Sequence, residues 1–473
     1  MFLEIGFLLL FASFGLSDPT LVVIGAGASG IAAATRLLQH GITNITILEA
    51  NDQIGGRIHS VSLGGRYVDT GAEWCHGEKG NVVYDLVKDL GILQGTPPFY
   101  LEIYHSKLKL LNPDFSHALN DIFFELLVES MRSKESVSVG ELLIAKYEQV
   151  IDQWKDDPSN YKLAQQAIVL LEACVIGFNG GFSWFDLAAD VDFVISEGDQ
   201  NLHWNGLGFK TILNVLMEKS PPINDKILFK KEVRQIIWDS KEAVVQCTDN
   251  SSYSADHVIM TVSLGVLKHQ HTNLFVPKLP VNKLLAIEQL GIAAVQKIFL
   301  YYDRRWWNDS YTGNFFLWDP NDVKNGASWL TAVSVLVPVV HNPNVLQVWI
   351  IGDLVPEVEQ CSDEVFINGI MYLLDYFGVV DSKIVTRPDA IARQVKNWYT
   401  NPYFRGAFSY QTPRTRVGQN SDEAILSEPL GNNPQKPNLL FAGEATSPDH
   451  YGTVHGAIDT GFREADRILK MYK

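Results

Sequence analysis

Cysteine is scarce. Cys75, Cys174, Cys247 and Cys361 are the only four in 473 residues, and they follow no metal-ligand spacing, which excludes a disulfide framework and a cysteine-built metal centre while leaving a single disulfide open. Basic residues are in deficit, with 38 Lys and Arg against 54 Asp and Glu for a formal charge of −16. That balance disfavours nucleic acid as a partner and suits a cationic ligand. The N-terminal apolar run from Phe7 to Phe14 is too short to span a bilayer comfortably, and no membrane partner is expected. At 46% apolar and 19% charged the chain is globular and not disordered, and its length allows two or three domains.

The N-terminal MFLEIGFLLLFASFGLS carries an apolar run from Phe7 to Phe14 followed by small residues before Asp18 and Pro19. This reads as a secretory signal over 1–17, although Glu4 is its only charge and a basic n-region is missing. A secreted or lumenal protein is expected. The sequons Asn44-Ile45-Thr46, Asn250-Ser251-Ser252 and Asn308-Asp309-Ser310 would then be open to glycosylation.

What the chain does have begins at Leu21, as one β-α-β unit. The apolar Leu21 to Ile24 predicts a strand buried on both faces, and Gly25, Gly27 and Gly30 follow on G-x-G-x-x-G spacing. Gly25 permits the turn, Gly27 admits a pyrophosphate to the backbone, and Gly30 lets the helix pack close. That helix is expected from Ala28 to Gln39, its first amides and dipole turned to the phosphates. A second strand, Ile45 to Leu48, ends on Glu49, an acid about 20 residues beyond the glycines where ribose binding needs one. Dinucleotide binding follows.

Further motifs come in order. Ile54-Gly55-Gly56-Arg57 suits a backbone wrapped around a charged cofactor, and Gly71-Ala72-Glu73-Trp74-Cys75-His76-Gly77 is a glycine-bounded mixture of residues typical of a site. From Asn81 to about Ser196 the apolar spacing is helical, notably over Asp121 to Met131 and Tyr161 to Phe178. Ile227 to Phe229 and Val233 to Trp238 are expected as a strand pair. The stretch Ala293 to Tyr302 is a strand apolar on both faces apart from Gln296 and Lys297. A lysine there either snorkels from a strand edge or is paired or functional.

G-A-G-A-S-G, Glu49, G-G-R and G-A-E-W-C-H-G in this order resemble the flavin-containing amine oxidase family, and His76 resembles its polyamine oxidase branch. The resemblance runs from Val22 to the C-terminal helix. It implies FAD as the dinucleotide. By the same resemblance Lys297 holds a water against the flavin N5, Val233 contacts the adenine through its backbone, and Glu444 lies on the ribityl chain. It carries the cofactor role to Gly25, Gly27, Ala28, Gly30, Glu49, Gly56, Arg57, Gly71, Ala72, Glu73, Trp74, Val233, Trp398, Gly443, Glu444, Thr453 and Val454. Substrate contacts fall to His76, Trp398, Phe408 and Thr453, and catalysis to Lys297 and His76. No metal is implied. Ala407 stands where monoamine oxidases carry the cysteine that binds flavin covalently, so a non-covalent FAD is expected. Phe408 replaces one cage tyrosine, keeping an aromatic wall without the hydroxyl, and Thr453 replaces the other, leaving room for a longer, more polar amine.

The fold implied is α/β, a Rossmann-type FAD-binding domain with a second α+β substrate domain and a helical insertion. In sequence, the FAD domain takes 18–80, 201–275 and 401–473, the helical lobe 81–200 and the substrate domain 276–400. The activity implied is oxidation of spermine, spermidine or acetylated forms with O2. Hydride passes to the flavin, the imine is hydrolysed, and an aminoaldehyde, a shorter amine and hydrogen peroxide result. Three alternatives stand: an L-amino-acid oxidase, for which no carboxylate-binding arginine is identified; a monoamine oxidase, disfavoured by Ala407 and Thr453; and a non-catalytic secreted flavoprotein. A histone demethylase would be nuclear, against the N-terminus. Glu73 and Glu197 are candidates for holding distal ammonium groups.

Overall fold

The computed structural model describes residues 18–97, 100–323, 329–380, 387–393 and 397–472. The expected leader, 1–17, lies outside the described residues. The strand β1 (Leu21–Ile24), the helix α1 (Ala28–Gln39) and the strand β2 (Ile45–Leu48) occupy the ranges expected of them. Around β1 stands a five-stranded sheet in the order Leu439–Phe441, His257–Met260, β1, β2 and Ile227–Leu228. Every pairing in it is parallel.

Period-two alternation sorts that sheet's side chains onto two cores. Leu21, Val23, Ile45, Ile47, Ile259 and Leu440 pack with α1 and the closing helix Val454–Tyr472. Val22, Ile24, Leu48, Val258, Met260 and Phe441 face the other way, onto a mixed four-stranded layer and the helix Leu264–Leu274. Burial on both faces is why these strands are continuous apolar runs. A Cβ on Gly30 would lie 2.0 Å from the Gly25 oxygen and one on Gly461 2.3 Å from the Ser29 oxygen. Helix-to-strand and helix-to-helix approach there demands glycine.

One expectation fails. Ile227–Leu228 and Val233–Ile237 do not pair: the first adds to β2 in the parallel sheet, and the second pairs with Ala243–Cys247 in a four-stranded layer. Their connection crosses between sheets, because Glu49 N–H bonds to the Leu228 carbonyl and Lys231 N–H to the Glu49 carbonyl.

The second large sheet has seven strands, in the order Ala390–Arg393, Val295–Tyr301, Asn342–Ile351, Val333–Val339, Asn314–Leu317, Glu102–His105 and Lys109–Leu110. The 81–200 stretch is therefore not all helix, since it lends this sheet two strands. Its helices Pro113–Ser130, Val139–Val150 and Pro158–Asn179 share a core on the sheet's flank. Pro158–Asn179 is long and apolar enough to cross a membrane by length and composition, and it packs Ala164, Ala167, Leu171 and Val175 into that core. On Val295–Tyr301, Ile298 and Leu300 point to a core roofed by the helix Asp363–Phe377. Lys297 lies on the opposite face. All four cysteines are free thiols.

Candidate active site

The phosphate end is built by α1. Its N-terminus carries no side-chain cap and no acid in the first turn, so the first-turn amides have no partner within the helix. A Cβ on Gly27 would meet nothing closer than 3.9 Å, so open space lies where the Gly27 side chain is missing. Ser29, in the same turn, is buried with a hydroxyl that has no hydrogen-bond partner. An unfilled cradle, unpartnered amides and an orphaned hydroxyl fit a pyrophosphate. Gly55 and Gly56 have φ of +111° and +58° and close over the loop, with Gly55 N–H bonded to the Ala26 carbonyl.

Glu49 closes this end. Its buried carboxylate accepts from Ala26 N–H at 2.8 Å and Asn51 N–H at 2.8 Å. Burial raises its pKa above the usual carboxylate value, against the pull of those amides. Val233 follows two residues after Lys231, whose amide is bonded to Glu49, so the two expected adenosine contacts arrive together.

Arg57 links this end to the next. Its Nη1 donates to Glu444 Oε1 at 2.7 Å and to the Ala407 carbonyl at 3.0 Å. The other Glu444 oxygen accepts from Ser409 Oγ, Ser409 N–H and Gly452 N–H. Ala72 N–H bonds to the Arg57 carbonyl, and a Cβ on Gly71 would lie 2.1 Å from that carbonyl oxygen. Trp398 is buried, and its Nε1–H donates to the Thr70 carbonyl beside Gly71. Phe408 packs its ring at Gly180, where a Cβ would come within 2.5 Å of it, and near Gly452. Gly443, at φ +116°, is held by Thr460. Thr453, just ahead of Val454, accepts from Gly456 N–H and donates to the His450 carbonyl, so its hydroxyl caps the closing helix.

Lys297 is 5% exposed, and its Nζ lies 2.5 Å from Glu73 Oε2. The same oxygen accepts from Gln347 Nε2 at 2.8 Å. Lys297 and Trp349 are cross-strand partners, and Gln347 shares their face. Trp74 and Trp349 stack at 5.7 Å between centroids, with the lysine nitrogen 5.5 and 5.3 Å from the two rings. The lysine is therefore paired and does not snorkel. Nearby Asp69 is pushed up to about 7, chiefly by burial, with the Glu73 charge adding to it against the pull of Ser60 and Lys297.

His76 places Nδ1 2.7 Å from the Gln200 carbonyl. A carbonyl only accepts, so Nδ1 carries the proton and Nε2 the lone pair in the neutral ring. Burial lowers the His76 pKa, the Gln200 carbonyl opposes this, and the Lys297 charge adds to it. His455 is buried with an unpartnered Nε2 and is pushed down to about 3, first by burial and then by His450 and His76. His450 and His455 lie 4.6 Å apart between centroids. The Glu197 side chain is exposed and paired with Lys79, while its carbonyl accepts from Glu78 N–H and Lys79 N–H, just beyond His76.

Sequence reasoning misses Ser29, Gln347, Trp349 and His455. Ser29 stands inside the glycine motif, and Gln347 is the one polar residue in the apolar VLQVWII, as Lys297 is the one charge in its strand, with Trp349 two residues on and on the same face.

The model of the family described as flavin containing amine oxidoreductase matches residues 28–469. The human peroxisomal N(1)-acetyl-spermine/spermidine oxidase is 29% identical, over 96% of this chain and 95% of its own. Protein anon-37Cs of Drosophila melanogaster is 30% identical, over 96% and 91%. Among solved structures, a double mutant of putrescine oxidase, redesigned in its cofactor binding, superposes with a TM-score of 0.62 at 17% identity, covering 96% of this chain and 99% of its own. That likeness concerns the fold.

Proposed function

The chain belongs to the flavin-containing amine oxidoreductases, an FAD-dependent amine oxidase, and from that premise we propose that its substrates are polyamines, oxidised at the carbon beside a secondary nitrogen. The observation that carries the reading is His76. It is a buried imidazole with Nδ1 tied to Gln200 and a pKa lowered by burial, so Nε2 offers a lone pair to an amine N–H. The polyamine oxidase names among the relatives support the same class.

FAD, when bound, would take a hydride, which carries two electrons, from the amine carbon and pass those two electrons on to O2. The chain's residues bind and orient. The α1 amides and Ser29 hold the pyrophosphate, Glu49 the adenosine ribose, and Val233 the adenine edge. Arg57, through Glu444, joins the segment Gly71 to Trp74 to the strand Ser409–Tyr410. Ala407 offers no nucleophile, so the cofactor is held without a covalent bond. Lys297 sets a fixed cation on the reacting side and holds a water there. Trp398 and Phe408 supply aromatic walls. Thr453, smaller than an aromatic, leaves space for a long chain. His76 Nε2 accepts a hydrogen bond from the N–H of the reacting amine, whose free base is the form that loses hydride.

A secreted or lumenal location belongs to the same reading. The apolar run from Phe7 to Phe14 supports it, as does the exposure of Asn44, Asn250 and Asn308 in their sequons.

The test is peroxide release from purified holoenzyme given spermine, spermidine, N1-acetylspermine, a monoamine and an L-amino acid in parallel. Signal from polyamines alone is expected. Signal from the monoamine or the amino acid in preference to all three polyamines contradicts the proposal.

A further inference from the structure

Three charged or polar groups meet at the face of the seven-stranded sheet that carries Lys297 and Gln347. Glu73 Oε2 takes hydrogen bonds from Lys297 Nζ at 2.5 Å and from Gln347 Nε2 at 2.8 Å. The side chains of Lys297 and Glu73 are 6% and 9% exposed, and Gln347 is 3% exposed. An ammonium on a four-carbon stem ordinarily sweeps many rotamers. Here the carboxylate fixes its end, and the indoles of Trp74 and Trp349 flank it. Gln347 in turn fixes the carboxylate.

We propose that Glu73 is the positioning residue for Lys297: paired to it and braced by Gln347, its carboxylate holds the ammonium at one point on the reacting side and supplies its counter-charge. The proposal rests on the reading of Lys297 given above and goes beyond it, because it takes Glu73 out of direct contact with both FAD and the distal amines. The cost of the arrangement is two buried charges. A buried pair is tolerated only with good geometry and further hydrogen bonds, which Gln347 supplies on one side.

The arrangement makes the two residues act as a unit. Removing either strands the other in a buried position, and removing both does not. In Glu73→Gln the ammonium keeps a hydrogen-bond partner but loses the opposing charge and its fixed position. In Lys297→Met the carboxylate is left buried without its cation.

The test uses FAD-loaded Glu73→Gln, Lys297→Met and the double variant, assayed with whichever amine gives the most peroxide. Glu73→Gln is expected to lower kcat roughly tenfold, the order of coupling within one network, with KM within about twofold. The double variant should be no slower than Lys297→Met. Two readouts stand apart from turnover. The visible absorption spectrum of the resting flavin should differ from wild type in Glu73→Gln and be the same in Lys297→Met and the double variant. The melting temperature lost in Lys297→Met should be partly restored by adding Glu73→Gln. Effects that multiply in the double variant overturn the proposal. A raised KM at unchanged kcat makes Glu73 a substrate contact, and loss of FAD on desalting makes it a cofactor contact; either overturns it. An unchanged kcat in Lys297→Met removes the lysine from the reaction and the proposal with it, a result distinct from an impaired Lys297→Met whose effect simply multiplies with that of Glu73→Gln.

Discussion

Arg57 Nη1 stands 2.7 Å from Glu444 Oε1, a pair that joins residues 387 apart in sequence. Glu444 is nearly saturated, since Ser409 and Gly452 donate to its other oxygen. Glu444→Ala removes the counter-charge of Arg57 and the acceptor of the Ser409 hydroxyl, the Ser409 amide and the Gly452 amide, and we expect a loss of about 3–5 kcal/mol of stability, as for a broken buried pair. Denaturant unfolding of the apo-protein measures it. Glu444→Gln, which keeps one acceptor, should lose less.

The two motif glycines should separate folding from cofactor binding. A Cβ at residue 30 would lie 2.0 Å from the Gly25 oxygen, whereas one at residue 27 meets nothing within 3.9 Å. Gly30→Ala is expected to abolish soluble protein. Gly27→Ala should fold with the far-UV circular dichroism of wild type and carry less than about a tenth of the FAD, because the methyl enters the space a pyrophosphate needs. Equal FAD occupancy in Gly27→Ala and wild type would remove the phosphates from that place.

His76 should act on binding more than on folding. Leaving a buried amine N–H without its acceptor costs about 1–3 kcal/mol, so His76→Ala should lower kcat/KM for polyamines by roughly 5- to 150-fold. The imidazole pKa is lowered by burial. Its acceptor form therefore persists below the ordinary histidine range, and the wild-type advantage over His76→Ala should hold as pH falls from about 8 to about 6. An advantage that disappears near the ordinary histidine value of about 6.5 would mean a solvated histidine.

Acid should unfold the protein through its buried histidines. His455 is pushed down to about 3 by burial and by His450 and His76. Between that value and its unfolded value near 6.5 the unfolded chain binds the proton and the folded one does not, so stability is full above the unfolded value and is lost as pH falls. His455→Gln should lose about 1–2 kcal/mol less than wild type between about pH 7 and pH 5, read by urea unfolding at the two pH values. Identical losses would mean that protonated His455 is accommodated in the fold.

The parts of the fold legible in the sequence are those set by near neighbours. The ranges of β1, α1 and β2 follow from apolar runs, glycine spacing and helix-stopping His40 and Gly41, all local signals. Strand pairing is not local. Ile227 and Leu228 precede Val233 closely in the chain, yet they pair with Ile47 and Leu48 while Val233 pairs with Cys247. The same limit governs the site. Lys297 declares itself as a charge in a doubly apolar strand, but nothing in the sequence names its partner, which lies 224 residues away. Glu73 reads from its motif as a cofactor contact, and the structure gives it the lysine. Ser29 gives no signal, because a serine inside a glycine motif looks ordinary until its hydroxyl is seen buried and unpartnered.

Whether a polyamine is the reductant of the flavin is read by anaerobic mixing. Purified yellow holoenzyme is mixed with spermine, N1-acetylspermine, a monoamine or an L-amino acid in a stopped-flow cell, and the flavin absorbance is followed without oxygen. Bleaching in a single turnover by a polyamine is expected, with the monoamine and the amino acid at least about a hundredfold slower, a difference of roughly 2.7 kcal/mol in the transition state. A flavin that stays yellow with both polyamines, or that bleaches faster with the monoamine or the amino acid, would contradict the polyamine assignment.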